Sequence, residues 1–407
     1  MDHTRLQARS RRDVFAKPGF PAVYAVGMVW SLCRWAIGFL GAYVVADATS
    51  SARLVQLTGA LLWAPLLLTG VVGGAISDRI SRRNLLFAQF GILGPLTAGI
   101  GLLALTDNLT LWVLYLYMVV AGFGWVIDMT ARRTMIHDLV GDEHIDDAMA
   151  WEGLASAFGL IAGTVAGGVL IGTTGAGGAY LAVAGAIALA ALLLLAVPPT
   201  PRRMLEADQG STLRSDISAS VNLVGQQPTL ASILGVTALV NFFHFSYFPI
   251  VQVIAQRVDA SPFRTGLLAA ATGAGMAVGA TIILQTNIRR GSSYVIGALG
   301  GFVFLIGFGA FDHYWLVFGS LFLASSFIGL FASTQGALVM TAVDPAMKGR
   351  AMGLLSMAIG VLPLGMTALG ELSEVLGAPT ALIIFNITGL ICILAFLRTR
   401  PQAFHIS

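Results

Sequence analysis

Apolar residues fill this chain in long runs, broken at intervals by short polar or Pro/Gly-rich stretches. A helix that crosses a bilayer needs about 20 mostly apolar residues. Runs of that kind lie near residues 21–46, 54–76, 85–105, 109–130, 149–173 and 177–197. They resume near 229–254, 263–286, 292–311, 314–341, 350–373 and 377–397. The pattern predicts twelve membrane spans. Backbone groups in lipid must find partners within their own segment, so the expected fold class is all-α. Residues 1–20 are polar and basic, and the run after them is too long for the core of a secretory signal. They read as a cytoplasmic tail.

The one long polar interruption runs from Pro198 to Pro228. Leu213, Ile217, Val221 and Val224 follow one another there at helical spacing, after Ser211 and Thr212 as capping residues. An interfacial amphipathic helix and a disordered linker both satisfy this pattern. The interruption divides the chain into a tail (1–20), a six-span bundle (21–197), a cytoplasmic linker (198–228), a second six-span bundle (229–397) and a second tail (398–407). The halves carry weak internal similarity. The approach to the fifth span reads Ala148-Met149-Ala150, and that to the eleventh reads Ala351-Met352-Gly353. The loops after the second and eighth spans end in Arg82-Arg83 and Arg289-Arg290. Such repetition is common in transporters.

Composition narrows the class. The chain is 57% hydrophobic and 11% charged, whereas soluble proteins carry about 25% charged residues. Too little charge remains to solvate an ordinary surface, which excludes a soluble enzyme, a disordered chain and a nucleic-acid-binding domain. The 48 glycines suit closely packed membrane helices. Cys33 and Cys392 both fall in apolar runs and build no disulfide framework. The net charge of +3 is explained by topology. With the N-terminus inside, nineteen of the 23 Lys and Arg residues fall on inner segments and three, Arg53, Arg257 and Arg264, on outer loops. Arg34 alone lies within a span by this count. The asymmetry predicts an N-in, C-in protein of the cell membrane.

Between the second and third spans the chain reads Gly74-Ala-Ile-Ser-Asp78-Arg79-Ile-Ser-Arg82-Arg83. This resembles the signature loop of the major facilitator superfamily, Gly-x-x-x-Asp-Arg/Lys-x-Gly-Arg/Lys-Arg/Lys, with Ser81 in place of the second glycine. Val72-Gly73-Gly74, the segment Pro345 to Gly353 and Gln226-Gln227-Pro228 resemble the enterobactin-exporter and macrolide-efflux branch. The resemblance implies alternating access by two rocking bundles, export of small organic molecules and coupling to protons. It also implies that Asp78 and Arg82 work with an acid on the fourth span, matched by Asp128, to hold the cytoplasmic side closed. A plain topological anchor is the competing reading of these charges.

Ionisable residues within spans are expensive and are candidates for function. Arg34 sits mid-span on a face with Gly27, Ser31, Gly38 and Gly41. It suits an anionic group of a substrate, a neighbouring acid, or a structural ion pair. Glu152 lies in the first turns of the fifth span, to pair with Arg34, titrate or rest near the interface. In the seventh span Asn241, His244 and Gln252 follow helical spacing, and Gln335 in the tenth is similar. These are candidates for lining a cavity, and His244 for carrying a proton. Gly159, Gly163, Gly167 and Gly168 resemble the superfamily's antiporter motif, with Thr164 where that motif has proline; helix packing explains them equally well. Trp30, Trp35, Trp63, Trp125, Phe158 and Phe245 offer an aromatic surface to a lipophilic substrate. No phosphate-cradling Gly-x-x-x-x-Gly-Lys-Ser/Thr loop and no metal-ligand spacing occurs. The expected protein is a monomeric, cofactor-free secondary exporter of a small amphiphile. An organic-anion permease or lipid-moving permease is the rival, and a non-transporting sensor is a more distant one.

Overall fold

The computed structural model of the protein describes residues 13–68, 81–198, 224–286, 288–344, 347–400 and 402. All regular structure among them is helical. Ten helices are long and apolar enough to cross a bilayer, and Ala52–Leu67 is a shorter apolar one. In the first half these are α1 (Phe20–Thr49), α2 (Ala52–Trp63, continued as a 3₁₀ turn), α3 (Arg82–Leu105) and α4 (Leu111–Val140). The long segment Ile145–Leu195 is broken at Gly175, whose φ of 70° and ψ of 179° belong to no helix. It therefore comprises α5 (145–174) and α6 (176–195). Trp151 near its start packs on Phe15, and Pro198 just beyond its end lies against Gly19, so the chain reverses at Gly175.

The second half contains α7 (Pro228–Arg257), α8 (Pro262–Gln285), α9 (Arg290–Ala310), α10 (Tyr314–Thr341), α11 (Lys348–Leu376) and α12 (Ala378–Thr399). Several begin as sequence logic requires. Ser51, Ser81 and Ser261 cap α2, α3 and α8 by accepting from the backbone N–H three residues on. Pro262 and Pro228 occupy first-turn positions, where the missing N–H costs nothing.

Each half encloses its own apolar core. Phe20, Trp30, Leu40, Met118, Tyr180 and Ile187 are buried in the first half, and Tyr247, Phe302, Phe308, Phe331 and Leu382 in the second. Large apolar side chains such as Trp112, Leu116, Leu192 and Leu284 remain outward and exposed, as lipid-facing residues do.

The halves meet most closely where side chains are absent. A Cβ on Gly168 of α5 would stand 2.4 Å from the Pro262 carbonyl oxygen of α8. A Cβ on Gly266 would stand 2.5 Å from the Thr164 carbonyl oxygen. Gly159, Gly163 and Gly167 do a different job on the same helix, letting α5 press onto Ser31, Leu32 and Phe39 of α1. Polar contacts join the halves toward the end that carries residues 50 and 375. Ser51 Oγ donates to Glu374 Oε2 (3.0 Å), and Arg53 pairs with Glu371 (3.8 Å). Deeper in, Gln56 Nε2 donates to the Ser246 carbonyl (2.9 Å) and Gln252 Nε2 to the Phe39 carbonyl (3.4 Å).

Candidate functional site

Below those contacts the halves separate around a cavity of about 450 Å³. Its walls come from the middle of α1, α7 and α11, from Trp63 at the end of α2, and from the portions of α5, α8 and α10 toward the end that carries Phe20 and Thr399. Most of the lining is apolar: Trp35, Trp63, Leu160, Phe245, Phe248 and Met276. The polar groups are few, namely Arg34, Ser156, Asn241, Ser333 and Gln335. A narrow extension of about 60 Å³ continues past Arg34 toward the closed end, lined by Gly38, Thr58, Trp125, Thr164 and Gln252 among others.

Arg34 projects into this cavity from α1 although its side chain is only 8% exposed. Its Nη2 donates to Ser156 Oγ (3.0 Å), and its Nη1 lies 3.7 Å from Asp128 Oδ2. Its guanidinium sits 4.5 Å from the centre of the Trp125 ring. Trp125 in turn packs on Trp63 and Trp35, with ring centres 4.3 and 5.2 Å away. Trp35, Trp63 and Phe248 complete an aromatic roof.

The residue that organises the charges is Arg132, read from sequence only as an inner-surface cation. It is fully buried. Its Nε and Nη2 donate to Asp128 at 2.5 and 3.0 Å. Its Nη1 and Nη2 also donate to Glu152 Oε2 and Oε1, each at 2.5 Å. Helix α4 continues past the expected end of its span through a π turn at Asp128–Arg132, which brings both residues to the bundle interior. Gly27 on α1 makes the room: a Cβ there would lie 2.2 Å from Arg132 Nη1. The available signal was Asp128 and Arg132 four residues apart, with Glu152 unpaired elsewhere.

Other expectations are corrected here. Glu152 pairs with Arg132, not Arg34. Arg82 pairs with Asp138, not Asp128. Asp128 lies with the central charges in this conformation, and Asp78, the loop acid of the expected gate, is outside the described residues. Gly74, Asp78 and Arg79 lie outside the described residues, as does most of the linker, while Arg83 caps carbonyls at the end of α6. His244 does not reach the cavity. It is buried inside the second half against Phe245, Tyr247 and Phe302, and neither ring nitrogen has a hydrogen-bond partner among the described residues. Asn241 and Gln335 do line the cavity, held by the Thr237 carbonyl (2.9 Å) and hydroxyl (2.9 Å). Trp30 packs internally on Phe90, and Phe158 faces outward at 52% exposure. No cluster of three or more His, Cys, Asp or Glu side chains is placed to hold a metal among the described residues.

Two helical halves around a central, mostly apolar cavity, closed at one end, form the frame into which the sequence comparisons fall. The profile of the Major Facilitator Superfamily matches residues 23–285 and 233–405. The chain belongs to the major facilitator superfamily. It is similar to the enterobactin exporter EntS of Citrobacter koseri, 28% identical over 348 residues that cover 82% of this chain and 80% of that protein. The enterobactin exporter EntS of Escherichia coli O1:K1 is also 28% identical, over 354 residues with the same coverage. Among solved structures, a bacterial homolog of the human lysosomal transporter Spinster, inward-facing and unoccupied, superposes with a TM-score of 0.73 at 15% identity. That match covers 97% of this chain and 96% of the other. A POT family transporter in complex with 5-aminolevulinic acid gives 0.77 at 10% identity, covering 95% and 97%. These structures share the fold. This superfamily member is a multi-pass membrane transporter.

Proposed function

We propose that this transporter exports a small amphiphilic organic compound, drug-like or siderophore-like, by alternating access coupled to protons. The observation that carries the reading is the cavity: a largely aromatic and aliphatic wall with a few convergent polar groups, sized for a small organic molecule. The similarity to exporters of enterobactin supports the direction and the substrate class. The charge asymmetry of the sequence supports twelve spans with both termini in the cytoplasm. On that orientation the cavity opens inward and the contacts at Ser51, Arg53 and Gln56 close the outer side. Buried Asp128 and Glu152, one side chain behind Arg34, support a role for carboxylates in proton coupling. As for other members of its class, alternation would move the two halves about their shared helices, with α5 against α8 and α2 against α11.

The test is transport into inside-out vesicles of dyes, macrolides and catechol siderophores, with and without a collapsed proton gradient. Accumulation of an amphiphile that stops when the gradient collapses is the expected result. Binding of small polar anions, with no amphiphile accumulated, would replace export by an anion permease.

A further inference from the structure

The central charges balance in number, two cations against two anions, but not in geometry. Arg132 engages both carboxylates, each through two hydrogen bonds. Arg34 is left with one hydrogen bond, to the neutral Ser156 Oγ, and with an Asp128 oxygen at 3.7 Å, beyond hydrogen-bond reach. Its buried Nε has no partner among the described residues. A guanidinium carries five N–H donors and cannot shed its charge in a protein. Holding it in a mostly apolar enclosure with donors unused is costly. The face of Trp125 offsets part of that cost.

We propose that Arg34 is an oxyanion subsite of the central cavity and that Arg132 is the positioning residue that keeps it open. A carboxylate, phosphate or catecholate oxygen of the substrate takes the donors left free on Arg34. The hydrophobic body of the same molecule rests against Trp35, Trp63 and Phe248. Arg132 takes up all of Glu152 and the hydrogen-bonding capacity of Asp128, leaving Asp128 only a 3.7 Å ion-pair contact with Arg34, so the charge facing the cavity is only partly neutralised from behind. Gly27 belongs to the same device, because any side chain there would displace the Arg132 guanidinium. The substrate class is thus an amphiphile with an acidic head, and the proposal rests on the cavity being the transport site.

The experiment is equilibrium binding of tritiated 2-naphthoate and of its neutral counterpart 2-naphthamide to the purified full-length protein. The acid should bind about tenfold or more tightly than the amide, the order expected of a charge-assisted bidentate contact. Arg34→Gln should abolish that preference while amide binding persists, and Arg34→Lys should keep part of it. Asp128→Asn removes the acid nearest Arg34 and should raise acid affinity without changing amide affinity. Equal binding of acid and amide by the native protein, an undiminished preference in Arg34→Gln, or weaker acid binding in Asp128→Asn would each overturn the subsite. Amide binding without acid preference overturns the subsite alone and leaves the exporter reading intact. Failure of both ligands to bind overturns the two together.

Discussion

Arg132 on α4 grips Glu152 on α5 through two hydrogen bonds of 2.5 Å, with both side chains buried. The pair ties two helices of the first half together directly behind the cavity wall. Removing one partner of a buried pair strands the other charge, at a cost of about 3–5 kcal/mol. Arg132→Met should therefore lower the thermal midpoint in detergent sharply. Arg132→Met combined with Glu152→Met should recover part of the loss, because the remaining Arg34 and Asp128 are again balanced. A double variant no more stable than Arg132→Met alone would count against this arrangement.

Gly27 gives a milder handle on the same charges. A single methyl at this position meets the Arg132 guanidinium at 2.2 Å, with the rest of the cluster in its way. Gly27→Ala should reduce transport at least tenfold while membrane insertion and expression stay near native. Gly185→Ala on α6, which meets nothing within 4 Å and lies away from the cavity lining, is the matched control and should transport normally. Vesicle uptake of the same dye by both variants checks the pair.

The contact of α5 with α8 is equally sensitive to volume. Gly168→Val would press a branched side chain onto the backbone of Pro262 and Gly266. Transport should fall by an order of magnitude or more, and Gly266→Val should do the same from the opposite side. Normal transport by either variant would show that this crossing yields more easily than its geometry implies.

At the closed end, Ser51 and Glu374 are in hydrogen-bond contact. Cysteines introduced there, Ser51→Cys with Glu374→Cys in a background lacking Cys33 and Cys392, should be joined by a short bifunctional thiol reagent. The joined protein should stop transporting, and a cleavable reagent should restore activity on reduction. Full activity after complete cross-linking would mean that this end stays shut throughout the cycle.

His244 supplies a negative prediction. Its ring is packed among aromatic side chains inside the second half and is separated from the cavity. His244→Phe should leave both the transport rate and its dependence on the proton gradient within about twofold of native. A large loss of gradient dependence would reinstate this histidine in coupling.

Much of the fold is legible in the residues because a membrane span must satisfy its own backbone and stay apolar for its whole length. The tenth run, expected at 314–341, is the helix Tyr314–Thr341, and the eighth and ninth differ by one or two residues at either end. The fourth is extended ten residues beyond expectation, to Val140, because Asp128 and Arg132 are polar yet neutralise each other inside the bundle. A hydropathy pattern sees two charges and stops the span there. Arg34 stands out in sequence as a lone intramembrane charge, and it does line the cavity. Which acid it faces is set by the crossing of α1, α4 and α5, and no spacing along the chain encodes that. Asn241 and Gln335 were legible from helical spacing, whereas His244, three residues after Asn241, is carried into the interior by the π turn at Val240–His244.

The glycine crossing of α5 and α8 bears on the pace of the transporter as well as its shape. Where Gly168 meets Gly266 the contact is backbone on backbone, with no side-chain rotamers to unlock, while Leu160 and Ile161 of α5 rest on the bare face of Gly273. Under the proposed alternation, two halves turning on such a bearing would meet little friction at the contact they keep. The barrier to switching is then concentrated in the polar links that must break, and the rate becomes adjustable one hydrogen bond at a time.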